Sequence, residues 1–149
     1  MDRPDDTRSL TGSGRQTARQ IGRSLKNLLP RIDLLAASPY VRAVETAKHI
    51  AHAYKKLEVM SLPALRPGGP PRDALAWLQT QSHDAVIVLV GHEPDLSGLA
   101  SWLLTGDTKS VLVFKKGAAC LMVFDSRPAP AAGQLEWFAP PRLLRGSDR

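Results

Sequence analysis

Six consecutive apolar residues, Ala85-Val86-Ile87-Val88-Leu89-Val90, constrain this chain more than any other feature. A strand with one wet face alternates apolar and polar residues. An uninterrupted apolar run needs cover on both faces, the mark of an interior strand in a parallel sheet. Gly91-His92-Glu93-Pro94 ends the run. A helix then carries Leu96, Leu99, Ala100, Leu103 and Leu104, with Gly106 placed to terminate it.

Upstream, the same alternation of strand and helix recurs. Ala18, Ile21, Leu25, Leu28 and Leu29 fall at helical spacing between Thr11 and Leu29, with Ser13 and Gln16 spaced as a capping box and Pro30 closing the segment. Ile32 to Ala37 reads as a buried strand. A second helix follows Ser38-Pro39, with Pro39 in its first turn and Ala43, Ala47, Ile50, Ala51 and Tyr54 on one face. Leu57 to Leu62 reads as a weaker strand, Pro63 to Pro71 as a loop rich in proline and glycine, and Asp73 to Gln81 as a short helix. Val111–Phe114, Ala118–Phe124 and Gln134–Phe138 are expected strands, Ser126–Gly133 a turn, and Pro140–Arg149 a mobile tail. Strands alternating with helices imply a single α/β domain over residues 1–149, layered on a mostly parallel sheet. No internal repeat is present.

Composition narrows the function classes. With 149 residues, 43% hydrophobic and 23% charged, the chain has the make-up of one globular domain. No apolar run reaches the ~20 residues that span a bilayer, and the polar opening residues carry no apolar signal core, so a cytoplasmic protein off the membrane is expected. The single cysteine, Cys120, excludes an internal disulfide framework and any multi-cysteine zinc site, and its apolar neighbours suggest an inert core position. A net charge of +6 favours anionic ligands. The basic residues are scattered, and three Trp, two Tyr and three Phe offer little for base stacking, so no nucleic-acid partner is expected.

Several apparent motifs fail on spacing. Gly12 to Thr17 has Arg15 and Gln16 where a P-loop needs Lys and Ser/Thr, and Asp95 stands where a nucleophile elbow before Ser97 needs glycine. His49 and His52 share a helix without a third ligand nearby and read as surface residues, so no metal is expected.

Two features remain. In Ser38-Pro39-Tyr40-Val41-Arg42, directly after a buried strand, Arg42 falls in the first turn of a helix. There a planar cationic fork joins the backbone N–H groups and the positive end of the helix dipole. In Gly91-His92-Glu93-Pro94-Asp95-Leu96-Ser97, His92 follows the most apolar strand. Ligands of open α/β sheets bind beyond the carboxyl ends of the strands. Arg42 and His92 both lie at such ends, which points to a small anion site, with phosphate the expected anion and an imidazole for proton or charge work.

These blocks resemble the histidine phosphatase superfamily. Asp6-Thr7-Arg8-Ser9-Leu10-Thr11 with Gly14-Arg15-Gln16-Thr17-Ala18 is similar to the family's "RPLT…G…QA" segment. Ser38-Pro39…Arg42-Ala43…Glu45-Thr46-Ala47 is similar to its "SPxxRAxxTA" block, and Val90 to Ser97 to its second-histidine block. Lys115-Lys116-Gly117 before the Ala118–Phe124 strand fits the branch of small SixA-type phosphohistidine phosphatases. The resemblance runs from about Asp6 to Phe138. It implies a three-layer α/β/α sandwich of the phosphoglycerate-mutase-like kind. It also implies phosphoryl transfer through a phosphorylated enzyme histidine, with no cofactor or metal. Arg42 and His92 would be the catalytic, phosphate-binding pair, while Arg8 would support the pocket and Glu45 would orient its helix or an arginine. The substrate would be protein phosphohistidine or a small phosphoester, and the protein a monomer.

In one respect the chain departs from the family. The family opens with a strand ending in Arg-His-Gly, whose histidine is the nucleophile, and no Arg-His-Gly occurs in these 149 residues. His49, His52, His83 and His92 are not expected to replace it. Two expectations follow: that Met1 is an internal methionine of a longer phosphatase whose first strand is missing here, or that this is a phosphate-binding pseudo-enzyme.

Overall fold

The computed structural model describes residues 5–55 and 57–145. Three parallel strands form its sheet, in the order β2-β1-β3: β1 (Leu34–Ala37) in the middle, β2 (Val59–Ser61) on one side and β3 (Ile87–Val90) on the other. Side chains alternate across this sheet as pleating dictates. Leu35, Ala37, Val88 and Val90 enter one core together with Ile21 and Leu25 of α1 (Gly12–Leu28) and Ala47 and Ile50 of α2 (Val41–His52). Ala36 and Leu89 face the opposite core, built on Ala74 and Leu75 of α3 (Pro71–Gln79) and Leu99 and Leu103 of α4 (Asp95–Thr105). The molecule is therefore an α/β/α sandwich. A 3-10 turn at Asp5–Thr7 precedes α1 and another, Pro63–Leu65, precedes α3. An antiparallel pair, β4 (Ala119–Val123) and β5 (Gln134–Ala139), completes the β structure, followed by the short α5 (Pro141–Leu144).

Local chemistry accounts for the element boundaries. The hydroxyl of Thr11 accepts from the Gly14 backbone N–H at 3.0 Å and so caps α1. The expected capping box at Ser13 is not used, because Ser13 already lies inside the helix. Gly22 lets α1 and α2 approach closely, since a Cβ there would sit 3.0 Å from the carbonyl oxygen of His49. Gly106, at φ 85, ends α4 in the left-handed region that glycine adopts without strain. Pro39 precedes α2 rather than lying in its first turn, which begins after Tyr40.

Three expectations are corrected. Among the described residues β3 is an edge strand and not an interior one: it pairs with β1 alone, no strand borders its other edge, and all four of its residues are only half-buried. Val111–Phe114 forms no strand, because its backbone is taken up by α4 side chains. Val111 N–H donates to Ser101 Oγ at 2.9 Å and Phe114 N–H to Ser97 Oγ at 3.3 Å, while the side chains of Val111 and Val113 are exposed. The C-terminal segment is not a loose tail throughout. Leu144 is 1% exposed in the α1/α2 core, and the Ser24 hydroxyl donates to its carbonyl. The rest of the expected tail, 146–149, and the expectation about the chain's start at Met1–Pro4 lie outside the described residues.

Candidate active site

The site is assembled by strand register. In the parallel pair of β1 and β3, Ala37 lies opposite Val90, so Ser38 and Gly91 leave the sheet side by side, and Ser38 N–H donates to Val90 O at 2.9 Å. Four residues beyond Ser38, Arg42 occupies the first turn of α2; one residue beyond Gly91 stands His92. Their side chains meet, with Arg42 Nη2 at 3.5 Å from His92 Nδ1. The two residues selected from the sequence are thus brought together at the carboxyl ends of adjacent strands, where α/β sheets bind ligands.

Each is held by neighbours. His92 Nε2 lies 2.8 Å from the Oγ of Ser38, a fully buried residue whose oxygen also accepts from Tyr40 N–H at 3.2 Å. A guanidinium has donors only, so the Nδ1 facing Arg42 carries the lone pair and Nε2–H donates to Ser38. Burial lowers the imidazole's pKa below its ordinary value, and the Arg42 charge adds to this, so the neutral form is favoured. The Tyr40 ring meets His92 edge-on at 5.2 Å and underlies the Arg42 guanidinium at 5.4 Å, a cation–π contact. Next in sequence to His92, Glu93 receives the Ser97 N–H at 3.1 Å, satisfying a free donor in the opening turn of α4.

The supporting residues sit differently. Glu45 does not touch an arginine in the hydrogen bond that it makes: its carboxylate receives the Leu10 N–H at 3.3 Å, tying the segment before α1 to α2. Arg8 is exposed, and its backbone N–H donates to Asp5 O at 3.2 Å. Sequence reasoning passed over Asp5, which ion-pairs with Arg42 at 2.8 Å, and gave Ser38 and Tyr40 no part in the site. Ser38 had left a signal, a hydroxyl at the very end of an apolar strand. Asp5 had left none beyond an acidic pair ahead of a helix.

Beside His92 opens a cavity of about 180 Å³, walled by Arg66, Pro70, Pro94, Leu96 and Thr108. Gly68 N–H donates to Asp95 at 2.7 Å and fixes the loop on its rim. Among the described residues no group of histidine, cysteine and carboxylate side chains could hold a metal ion. Nor is any helix among them long and apolar enough to cross a membrane.

Comparison with known proteins places this fold. Over 95% of this chain and 89% of that one, the fold matches the protein histidine phosphatase SixA, solved with tungstate (TM-score 0.82, 24% identity). SixA from Nakamurella multipartitia matches with TM-score 0.80 at 22% identity, over 95% of this chain and 89% of that one. SixA from Agrobacterium tumefaciens matches with TM-score 0.76 at 16% identity, over 93% and 87%. In sequence, an uncharacterized protein of Picosynechococcus sp. is 33% identical over 114 residues, which are 75% of this chain and 69% of that protein. The family model for branch 1 of the histidine phosphatase superfamily matches residues 2–67, the stretch that carries Ser38, Arg42 and Glu45. The chain that brings Arg42 and His92 together belongs to the histidine phosphatase superfamily.

Proposed function

We propose that the protein handles phosphohistidine as a SixA-like hydrolase of the phosphoric monoester/phosphohistidine class, with Arg42 and His92 gripping the phosphoryl oxygens. The carrying observation is the 3.5 Å approach of a guanidinium and an imidazole from two adjacent strand ends. A fold hosts many chemistries, so the reading rests on this site and not on the sandwich. A transferring phosphoryl group spreads charge over three oxygens, and fixed cationic donors stabilise it. Arg42 supplies two such donors permanently. His92 supplies another only after its Nδ1 gains a proton, which a bound dianion favours. The tungstate in the SixA structure, a tetrahedral oxyanion, supports the same ligand class.

The attacking group is a separate matter. Of the four histidines only His92 meets Arg42, and it reads as a phosphate ligand rather than the nucleophile. The nucleophilic imidazole of the proposed phosphohistidine intermediate is therefore assigned to residues outside these 149. The cavity beside His92, about 180 Å³, is smaller than the pockets that enclose free small-molecule ligands. This favours a protein-borne phosphohistidine over a free phosphoester. The absence of Arg-His-Gly from the sequence favours a second reading, a phosphate-binding module without turnover.

Inorganic phosphate titrated into the 149-residue chain is expected to bind and to be lost from both Arg42→Ala and His92→Ala. Binding that survives both substitutions overturns the site. Intact mass of the protein from its source cells separates the two readings: a mass of 16.2 kDa favours the binding module, and a larger one the enzyme.

A further inference from the structure

Resting on the reading of Arg42 as the oxyanion-binding group, we propose that Asp5 is an internal gate on the site, its carboxylate occupying the guanidinium that a phosphoryl group needs. Arg42 Nη1 donates to Asp5 Oδ1 at 2.8 Å and Nη2 to Oδ2 at 3.3 Å, a two-pronged pairing of fork and carboxylate. Nη1 also donates to the Asp5 backbone carbonyl at 3.0 Å. Three oxygens of one residue thus stand where the oxygens of a phosphoryl group would stand. The hydrogen bond from Arg42, together with the charges of Arg42 and Arg8, holds the Asp5 carboxyl below its usual range, so the competing anion is present at neutral pH.

The same geometry lets the gate open. Asp5 lies in a three-residue 3-10 turn, its side chain 54% exposed, and Leu10 N–H bonds Glu45 further along the chain. Exposed ion pairs of this kind are weak, so the gate lowers affinity by about two- to five-fold rather than closing the site. A tethered competitor also has a signature. It weakens every anion by one common factor, the fraction of molecules whose guanidinium is free. A carboxylate acting only through its distant field would instead weaken a dianion by the square of its effect on a monoanion.

The test is a backbone-amide NMR titration at pH 8 with inorganic phosphate, mostly dianionic, and with acetate, a monoanion like Asp5 itself. Asp5→Asn and Asp5→Ala are expected to tighten both ligands by the same two- to five-fold, with Arg42→Ala abolishing binding in either background. Binding of phosphate that needs Arg42 but is unchanged or weakened in both Asp5 variants overturns the gate and leaves the site standing. A gain for phosphate that is the square of the gain for acetate also overturns it. Phosphate binding indifferent to Arg42 overturns the site and the gate together.

Discussion

β1 and β3 are both four-residue apolar strands in one sheet, yet Leu35, Ala36 and Ala37 are buried while Ile87 to Val90 are all half-buried. The difference is position. β1 has a strand on each side and helices above and below, whereas β3 has a strand on one side only among the described residues. Apolar composition reports what a strand can tolerate, and neighbours decide what it gets. The two strands also feed the site unequally: β1 delivers Ser38, Tyr40 and Arg42, and β3 delivers His92.

Truncating the two strands in parallel breaks or sharpens this contrast. Leu35→Ala is expected to cost about 3 kcal/mol of unfolding free energy, and Leu89→Ala at least about 1 kcal/mol less, because Leu89 leaves a smaller closed cavity. Urea denaturation of both variants checks it, and equal losses would show that β3 is as enclosed as β1. At the strand ends, Arg42→Ala is expected to lose measurable phosphate binding, whereas His92→Asn, which keeps a neutral amide donor, is expected to weaken it by about five-fold, since a charge-assisted pair contributes more than a neutral donor. Isothermal titration at one ionic strength ranks them.

A smaller effect tests the link between the strands. Ser38→Ala removes the acceptor that holds His92 Nε2–H and is expected to cost about 1 kcal/mol of stability. Its sharper readout is the His92 ring nitrogen shifts by ¹⁵N NMR, which should lose the single Nε2-protonated form while the Arg42 signals persist. The smallest effect is in pH. The folded-state pKa of His92 lies below the unfolded one, so between the two values the unfolded chain binds more protons. Its contribution to stability is thus full above about pH 6.5 and falls as the pH drops toward the folded value. Thermal melts between pH 7 and 5 should show a shallower slope in His92→Asn than in the parent. Saturating phosphate should shift the His92 titration upward, with net proton uptake on binding.

Much of this architecture was legible because burial and helical spacing leave periodic traces. Ile21, Leu25, Ala47, Ile50, Leu99 and Leu103, all placed on core faces by spacing, are buried. Arg42 and His92 could be paired because both follow apolar strands, and parallel register does the rest. What escaped depends on partners distant in sequence. The openness of β3 is a property of its neighbours; Val111–Phe114 looks like a strand until Ser97 and Ser101 take its N–H groups; Leu144 sits in a polar segment but finds the α1 face. Asp5 enters the site through a side chain on a turn with no periodicity to read.

The register that aligns Ala37 with Val90 gives the site a further property. Arg42 and His92 are 50 positions apart and meet only once β1 and β3 have zipped. A bound oxyanion bridging them would act as a removable cross-link, closing a loop whose entropy the bare chain meets through strand pairing and the contacts of His92 with Ser38 and Arg42. Ligand occupancy and the last stage of folding would then be one equilibrium: a cell short of phosphoryl ligand would hold this protein closer to its melting point.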